Sequence, residues 1–450
     1  MKSRKAIDLC NGPLLGKIII FTIPIILSGV LQLLFNAVDM VVVGRFCGSS
    51  SLAAVGSTAS LTNLIVCLFM GLSVSSGIMI SHAVGAGYKK QIDRVLHTSV
   101  VSSFLFGIVL AIIGFIIAKP LLALMSTPED VIDKATLYMR IIFIGMPANL
   151  VYNFCASMLR STGDSLRPLI YLVIAGIINV ILNVILVTVV NLDVAGVAIA
   201  TIVSQTVSAF LIIYRLVKGT DHLKIKRHKL HISVPHLKKL MVIGIPAGLQ
   251  SGMFSISNTL IQSSINSFGT VAIAGNSAAH SIDGFLYTSM NSLYQTSITA
   301  VGQNMGARKY SRIVRSIVIC LLFAAVLGTV LGHLAKAFST ELLSIYCPND
   351  IDAISAGKMR LGIVGQFYML CGLMEVLVGA IRGMGHSFTT MLASIICVCG
   401  LRIVWIYTIF RQIHTLECLY YSYVVSWLCV IIVDAIMLIL YLRRLKKTLI

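Results

Sequence analysis

The sequence predicts an all-α polytopic membrane protein, with twelve transmembrane helices in two pseudo-symmetric six-helix bundles. Three observations carry that. Of 450 residues, 57% are hydrophobic and 11% are charged. A soluble domain carries about 25% charged residues, so this chain has too little polar surface to cover a body in water. Its apolar runs are long enough to cross a bilayer, and the connections between them sort by charge. The second half of the chain also repeats the first.

Twelve spans are expected, at about 17–44, 52–82, 95–118, 134–157, 168–190, 194–217, 240–266, 272–303, 313–335, 357–381, 388–410 and 418–442. One set of connections holds Lys2/Arg4/Lys5, Lys89/Lys90/Arg94, Arg160/Arg167, the 218–239 segment, Arg308/Lys309/Arg312/Arg315, Arg382 and Arg443/Arg444/Lys446/Lys447. The other set holds Arg45, Glu129/Asp130/Asp133/Lys134, Asp193, Glu341, Asp350/Asp352 and Glu417. An even count with both termini cytoplasmic satisfies the positive-inside rule, and an odd count scrambles it. The net charge of +19 therefore reports topology and not a nucleic-acid partner. The basic N-terminus precedes a full-length span, so no cleaved signal peptide is expected.

The longest connection, 218–239, reads as a basic cytoplasmic linker between an N-terminal lobe (1–217) and a C-terminal lobe (240–450). Its histidines (His222, His228, His231, His236) lack tight metal-ligand spacing and read as part of a solvated charge run. The 11 cysteines are scattered singly and read as small apolar residues. No metal or cofactor is expected.

The halves match in order. Ile23-Pro24 recurs as Ile245-Pro246, Asn36 as Asn258, and Leu52-Ala-Ala-Val-Gly56 as Val271-Ala-Ile-Ala-Gly275. Gly85-Ala-Gly-Tyr-Lys-Lys90 recurs as Met305-Gly-Ala-Arg-Lys309, and Leu159-Arg-Ser-Thr-Gly163 as Ile381-Arg-Gly-Met-Gly385. The offset stays between 219 and 222 throughout. This is an internal duplication of six spans. Because six is even, both copies cross in the same sense, with the substrate path expected between them.

Polar groups inside the spans mark the candidate sites. Ser28, Gln32, Asn36 and Asp39 share one face of the first span. A carboxylate costs several kcal/mol in hydrocarbon, so Asp39 should face protein or a water-filled cavity. It reads as a proton- or cation-handling group, or else as an acid pairing with Arg45, about 9 Å away along the helix. Asn179 and Asn183 lie one turn apart on span five, and Thr201, Ser204, Gln205 and Ser208 share a face of span six. These make either a polar pocket with Asp39 or ordinary interhelical hydrogen bonds. Span seven carries Ser251, Ser255, Asn258 and Gln262. The second half also holds Asp283, Glu375, Arg402 and Asp434, and one of its acids should neutralise Arg402. Substrate-cleft candidates are Glu375, Asp283, Gln32, Gln250, Asn258 and Arg402.

The chain resembles the multidrug and toxic compound extrusion (MATE) family along nearly its whole length. The carriers are IPIILSGVLQLLFNAVDMVVVG (23–44), LAAVG (52–56), HAVGAG (82–87), LRSTGDS (159–165), AGVAIAT (195–201), VGQNMGA (301–307) and IRGMGHS (381–387). The resemblance implies two six-helix bundles that alternate between inward- and outward-open forms. It also implies a first-helix acid at Asp39, a responsive bend at Pro24, and a cation site shared with Asn179, Asn183 and Thr201. At Asn183 many members carry a second aspartate, so the chain departs by one negative charge from a sodium-type site. Glu375 is a substitute for an acid that some members hold one turn away, at the position of Cys371.

The resulting expectation is a monomeric antiporter in the plasma membrane of a bacterium. It would exchange protons or sodium for organic, cationic and amphipathic small molecules, with membrane lipid as its surroundings. The alternatives are a lipid-linked sugar flippase of the related superfamily and a membrane-embedded enzyme. The enzyme reading lacks a nucleophile–base or metal constellation, since His280 and His333 show no partners in the sequence.

Overall fold

The computed structural model describes residues 6–125, 127–219, 223–348 and 350–449. Lys2, Arg4, Lys5 and His222 lie outside them. Every regular element among the described residues is helical. In chain order the spans are α1 Leu14–Phe46, α2 Ser49–Gly85, α3 Lys89–Leu124 and α4 in two pieces, Glu129–Ile144 and Met146–Ser161. Next come α5 Leu166–Val184 with a π turn Ile185–Val189, α6 Asp193–Lys218, α7 Val234–Asn266, α8 Thr270–Gly306 and α9 Tyr310–Ala337. The set ends with α10, α11 and α12. α10 comprises Ile351–Arg360, a π turn Leu361–Gly365 and Tyr368–Gly383. α11 comprises Ser387–Ser394, a π turn Ile395–Gly400 and Leu401–Tyr407. α12 is Leu416–Leu449.

Among the described residues, nine of these are helices long and apolar enough to cross a membrane, and α4 and α10 are spans bent by 47° and 45°. The α4 bend falls at Gly145-Met146-Pro147, where proline offers no N–H to the preceding turn. The remaining span, α8, is studded with Ser, Thr, Asn and Gln, yet most of its inner stretch from Ser289 to Asn304 is buried. Many of its hydroxyls and amides bond back within the protein, as a membrane interior favours, while Asp283 Oδ1 and Asn304 Oδ1 are buried without a partner.

The chain divides into two compact units, with the boundaries inside α1 and α7. Unit 1 holds residues 23–248 with 1–8, and unit 2 holds 249–450 with 9–22. The duplication is visible in the backbone. Left-handed residues recur in register at Gly48 and Gly269, Gly87 and Arg308, and Gly163 and Gly385. At Gly163 glycine is required twice over: φ is +92°, and a Cβ would meet the Ile7 carbonyl oxygen at 2.1 Å.

Unit 1 is held by an apolar core of Val42, Val43, Val55, Leu110, Phe143 and Val197, drawn from α1, α2, α3, α4 and α6. Large apolar side chains such as Leu27, Ile112, Ile116 and Phe210 are exposed, as a bilayer solvent allows. In unit 2, Val301, Ile313, Ile317, Leu377, Ile381 and Leu438 do the same. The N-terminal strap is tied to this unit. Asn304 donates to Leu9 O at 3.2 Å, Lys309 to Cys10 O at 2.9 Å and Arg312 to Gly12 O at 3.1 Å.

The linker is not a free charge run. Leu223 and Ile225 are buried, and Lys226 N–H donates to His97 Nε2 at 3.0 Å. The other ring nitrogen of His97 lies 2.6 Å from Asp93 O, which can only accept. His97 is therefore the neutral Nδ1–H tautomer, and a doubly protonated ring has no lone pair for Lys226. Lys229 pairs with Asp93 at 3.4 Å, and Ser233 N–H donates to Thr98 Oγ1 at 3.1 Å. Loss of one such hydrogen bond costs about 0.5–1.5 kcal/mol. His97→Ala should therefore speed tryptic cleavage at Lys224 and Lys226 several-fold in detergent. Unchanged cleavage would mean that His97 does not hold the linker.

Candidate functional site

α1 is continuous through Pro24, where the Ser28 hydroxyl donates to Pro24 O at 2.7 Å. About two turns before its end the helix presents Asp39. α5 and α6 meet it there. Asn183 Nδ2 donates to Asp39 Oδ1 and, at 3.2 Å, to Asn179 Oδ1. Asn179 Nδ2 lies 3.5 Å from Thr201 Oγ1. The Thr201 hydroxyl is 2.9 Å from Val197 O in its own helix and 3.4 Å from Asp39 Oδ2. With a single proton it serves one of these acceptors at a time.

The structure thus brings Asp39, Asn179, Asn183 and Thr201 together, with the two asparagines buried. No Lys or Arg among the described residues pairs with Asp39, and Arg45 is not a partner. Asn183 spends both N–H groups on Asp39 and Asn179, which leaves its own Oδ1 buried without a donor. The node is one donor, or one cation, short of full satisfaction. Asn36 and Gln32 are exposed and make no hydrogen bond to a described residue, so they stand outside the node. Tyr138 of α4, unremarked in the sequence, lies within electrostatic reach of Asp39.

Unit 2 is organised differently, around three buried arginines. Arg360 Nε donates to Asp283 Oδ2 at 2.8 Å, both side chains being nearly inaccessible. Its Nη1 reaches Asn276 Oδ1 at 2.8 Å, and its Nη2 lies 3.4 Å from His280 Nδ1. Arg382 donates to Tyr294 Oη and Gln250 Oε1 at 2.5 Å each, and to Thr390 Oγ1 at 3.3 Å. Arg402 donates to Ser426 Oγ at 3.1 Å and Asn258 Oδ1 at 2.9 Å, with its guanidinium 4.2 Å from the centre of the Tyr423 ring.

Three expectations are corrected here. Asp283 does not stand free as a cleft acid, because Arg360 holds it. Arg402 has no carboxylate partner among the described residues; the groups it hydrogen-bonds, Ser426 and Asn258, are neutral. His280 is not partnerless, and His333 bonds back to Thr329 O at 2.8 Å.

Amides on α7 reach all three arginines. Gln250 and Asn258 touch Arg382 and Arg402 directly, while Gln262 acts through Asn276, which donates to it at 2.7 Å. These positions repeat at multiples of four residues, one face of a helix. Glu375 is buried and makes no hydrogen bond to a described residue, although the Arg382 and Tyr287 side chains lie within its electrostatic reach. Among the described residues no three His, Cys, Asp or Glu side chains gather as a metal site would need.

Twelve spans in two copies of six, each copy burying its own ionisable cluster, define a polytopic transporter. A model of the MatE family matches residues 24–185 and again 246–408, and the chain belongs to that family of multidrug efflux transporters. Its members are transporters and not enzymes. Among its relatives, the probable multidrug resistance protein YoeA of Bacillus subtilis (strain 168) is 29% identical over 392 residues, 85% of this chain and 84% of that one. The FAD transporter of Shewanella oneidensis is 26% identical over 327 residues, covering 71% of this chain and 72% of that one. A MATE crystallised in the bent conformation superposes with a TM-score of 0.91 over 100% of both chains at 22% identity, a likeness of fold.

Removing one partner of a buried ion pair costs about 3–5 kcal/mol. Asp283→Asn should therefore lower the thermal unfolding temperature in detergent sharply, and combining it with Arg360→Leu should restore part of the loss. An unchanged melting temperature for Asp283→Asn would rule out a structural role for this pair.

Proposed function

We propose that the chain is a cation-coupled antiporter. It exports organic, cationic amphipathic compounds in exchange for protons or sodium, as a monomer in the bacterial plasma membrane. Lobes 1–217 and 240–450 are joined by a cytoplasmic linker, 218–239, and both termini are cytoplasmic. The sorting of Lys and Arg supports this orientation.

One observation carries the coupling role: Asp39 is held by the Asn183 amide and the Thr201 hydroxyl, with no basic residue paired to it among the described residues. A carboxylate locked to arginine cannot exchange its counter-charge. One solvated by amides can take a proton or a cation and give it back. The partnerless oxygen of Asn183 supports the same reading, because a proton on Asp39 or a small cation supplies what that atom lacks. Asn183 also replaces the second carboxylate that a high-affinity sodium site would use, which favours the proton.

Neutralising Asp39 weakens the ties among α1, α5 and α6. Pro24, some 22 Å away along α1, interrupts that helix's hydrogen bonding and is the point where it can bend. Glu375 and Asp434 are both buried without a hydrogen bond to a described residue, and Glu375 is the one assigned to a cationic substrate.

The test is efflux from proteoliposomes at matched protein content, under an imposed proton gradient and then under a sodium gradient. The wild type should respond to protons. Asp39→Asn should still insert and bind substrate, but its export should fall to the passive leak. Near-normal gradient-driven export by Asp39→Asn would move coupling away from this residue.

A further inference from the structure

Among the described residues three arginines and three carboxylates are buried in unit 2, and their pairing is uneven. Asp283 is spent on Arg360 at 2.8 Å. Glu375 and Asp434 both lie within the field of Arg382. Arg402 is left without an acid. The titratable groups that face it are Tyr423, Cys399, Cys371 and Arg360, and none is a carboxylate.

A lone buried charge is expensive: the effective penalty for an unpaired ion in a protein interior is several kcal/mol. Neutral partners recover only part of it, and Arg402 has a full set. Ser426 accepts from Nε, Asn258 accepts from Nη1, and the Tyr423 ring lies against the guanidinium plane. Tyr423 is itself fixed edge-on by Trp427 at 6.1 Å, and Trp427 by Tyr368 at 5.6 Å. The guanidinium, only 4% exposed, is thus locked in position by packing and hydrogen bonds. No described group accepts from Nη2, so the Nη1–Nη2 edge keeps N–H groups that point at no protein acceptor. Asn258, which covers this edge, has an exposed side chain.

We propose that Arg402, with Asn258 and Tyr423, is an anion subsite within unit 2 that accepts a carboxylate or phosphate group of a transported aromatic molecule. The fork of N–H groups matches two oxygens of such a group, and the aromatic face beside it suits a flat ring attached to the acid. A substrate bearing both a cation and an acid then meets complementary charges in the same unit, Glu375 for one and Arg402 for the other. The proposal rests on reading the chain as an exporter of organic molecules, and it adds an acid requirement that a purely cation-selective exporter lacks.

The experiment uses purified full-length protein and two dyes with the same xanthylium cation, rhodamine 110 (free carboxylate) and rhodamine 123 (its methyl ester). Binding is read by fluorescence anisotropy at fixed pH and low salt. Charge-assisted hydrogen bonds are worth about 1.5–3 kcal/mol. The wild type should therefore bind the acid at least about tenfold more tightly than the ester. Arg402→Gln should abolish that preference by lowering the affinity for the acid to about that for the ester, and Arg402→Lys, which keeps charge without the fork, should retain part of it. Equal wild-type affinities for both dyes would overturn the subsite and leave the efflux reading intact. Failure of both dyes to bind would count against both readings. Should Arg402→Gln fail to fold, the wild-type comparison and Arg402→Lys still decide the matter.

Discussion

A carboxylate held by one amide and one hydroxyl instead of being neutralised by a cation is the constraint around which unit 1 is built. Asp39 is tolerable inside a membrane protein only if donors reach it. Those donors come from two other helices, so α1, α5 and α6 must converge at one height. Asn183 does the most, bonding Asp39 and Asn179 at once, and it lies two residues before the π turn Ile185–Val189. A π turn shifts the helical register by one residue and is a common device where a side chain must be re-aimed. The apolar core of Val42, Val43, Val55 and Phe143 packs beside it and keeps the three helices from spreading.

Unit 2 shows what the duplication became once that acid was absent. At the repeat offset, Asp39 corresponds to Ile261, which is fully buried. Asn258, the counterpart of Asn36, no longer looks outward alone but accepts from Arg402. The polar interior is therefore arginine-centred, with amides from α7 as its second layer. The same six-span frame thus holds an isolated acid in one copy and an isolated base in the other.

Much of this was legible in the sequence. Twelve spans followed from hydropathy, the sorting of Lys and Arg, and the repeat. A pocket of Asp39, Asn179, Asn183 and Thr201 is one of two readings of the residues, and the family resemblance points to it; regular helices in α5 and α6 up to those residues keep their faces where the periodicity puts them. The arginine partnerships were not legible, for identifiable reasons. Arg360 directly precedes the π turn Leu361–Gly365, so regular helical periodicity misplaces the faces on either side of it. Its partner Asp283 is 77 residues away in sequence, on the polar span α8. Arg382 read as a loop charge because positive-inside sorting counts helix-end arginines with the loops. That an arginine stands at the same place in both copies, Arg160 and Arg382, was the available signal that it belongs to the fold.

The most direct measurement is infrared difference spectroscopy on oriented membranes cycled between acidic and neutral pH. Protonation of a buried aspartate gives a carboxylic C=O band, and here it should be accompanied by changes in the asparagine amide bands, because Asn183 is the bonded partner. That carboxylic band should be present in the wild type, shift with Asn183→Ala and vanish in Asp39→Asn. Its persistence in Asp39→Asn, or its absence from the wild type across the whole pH range, would contradict the assignment of Asp39 as the group that carries the proton.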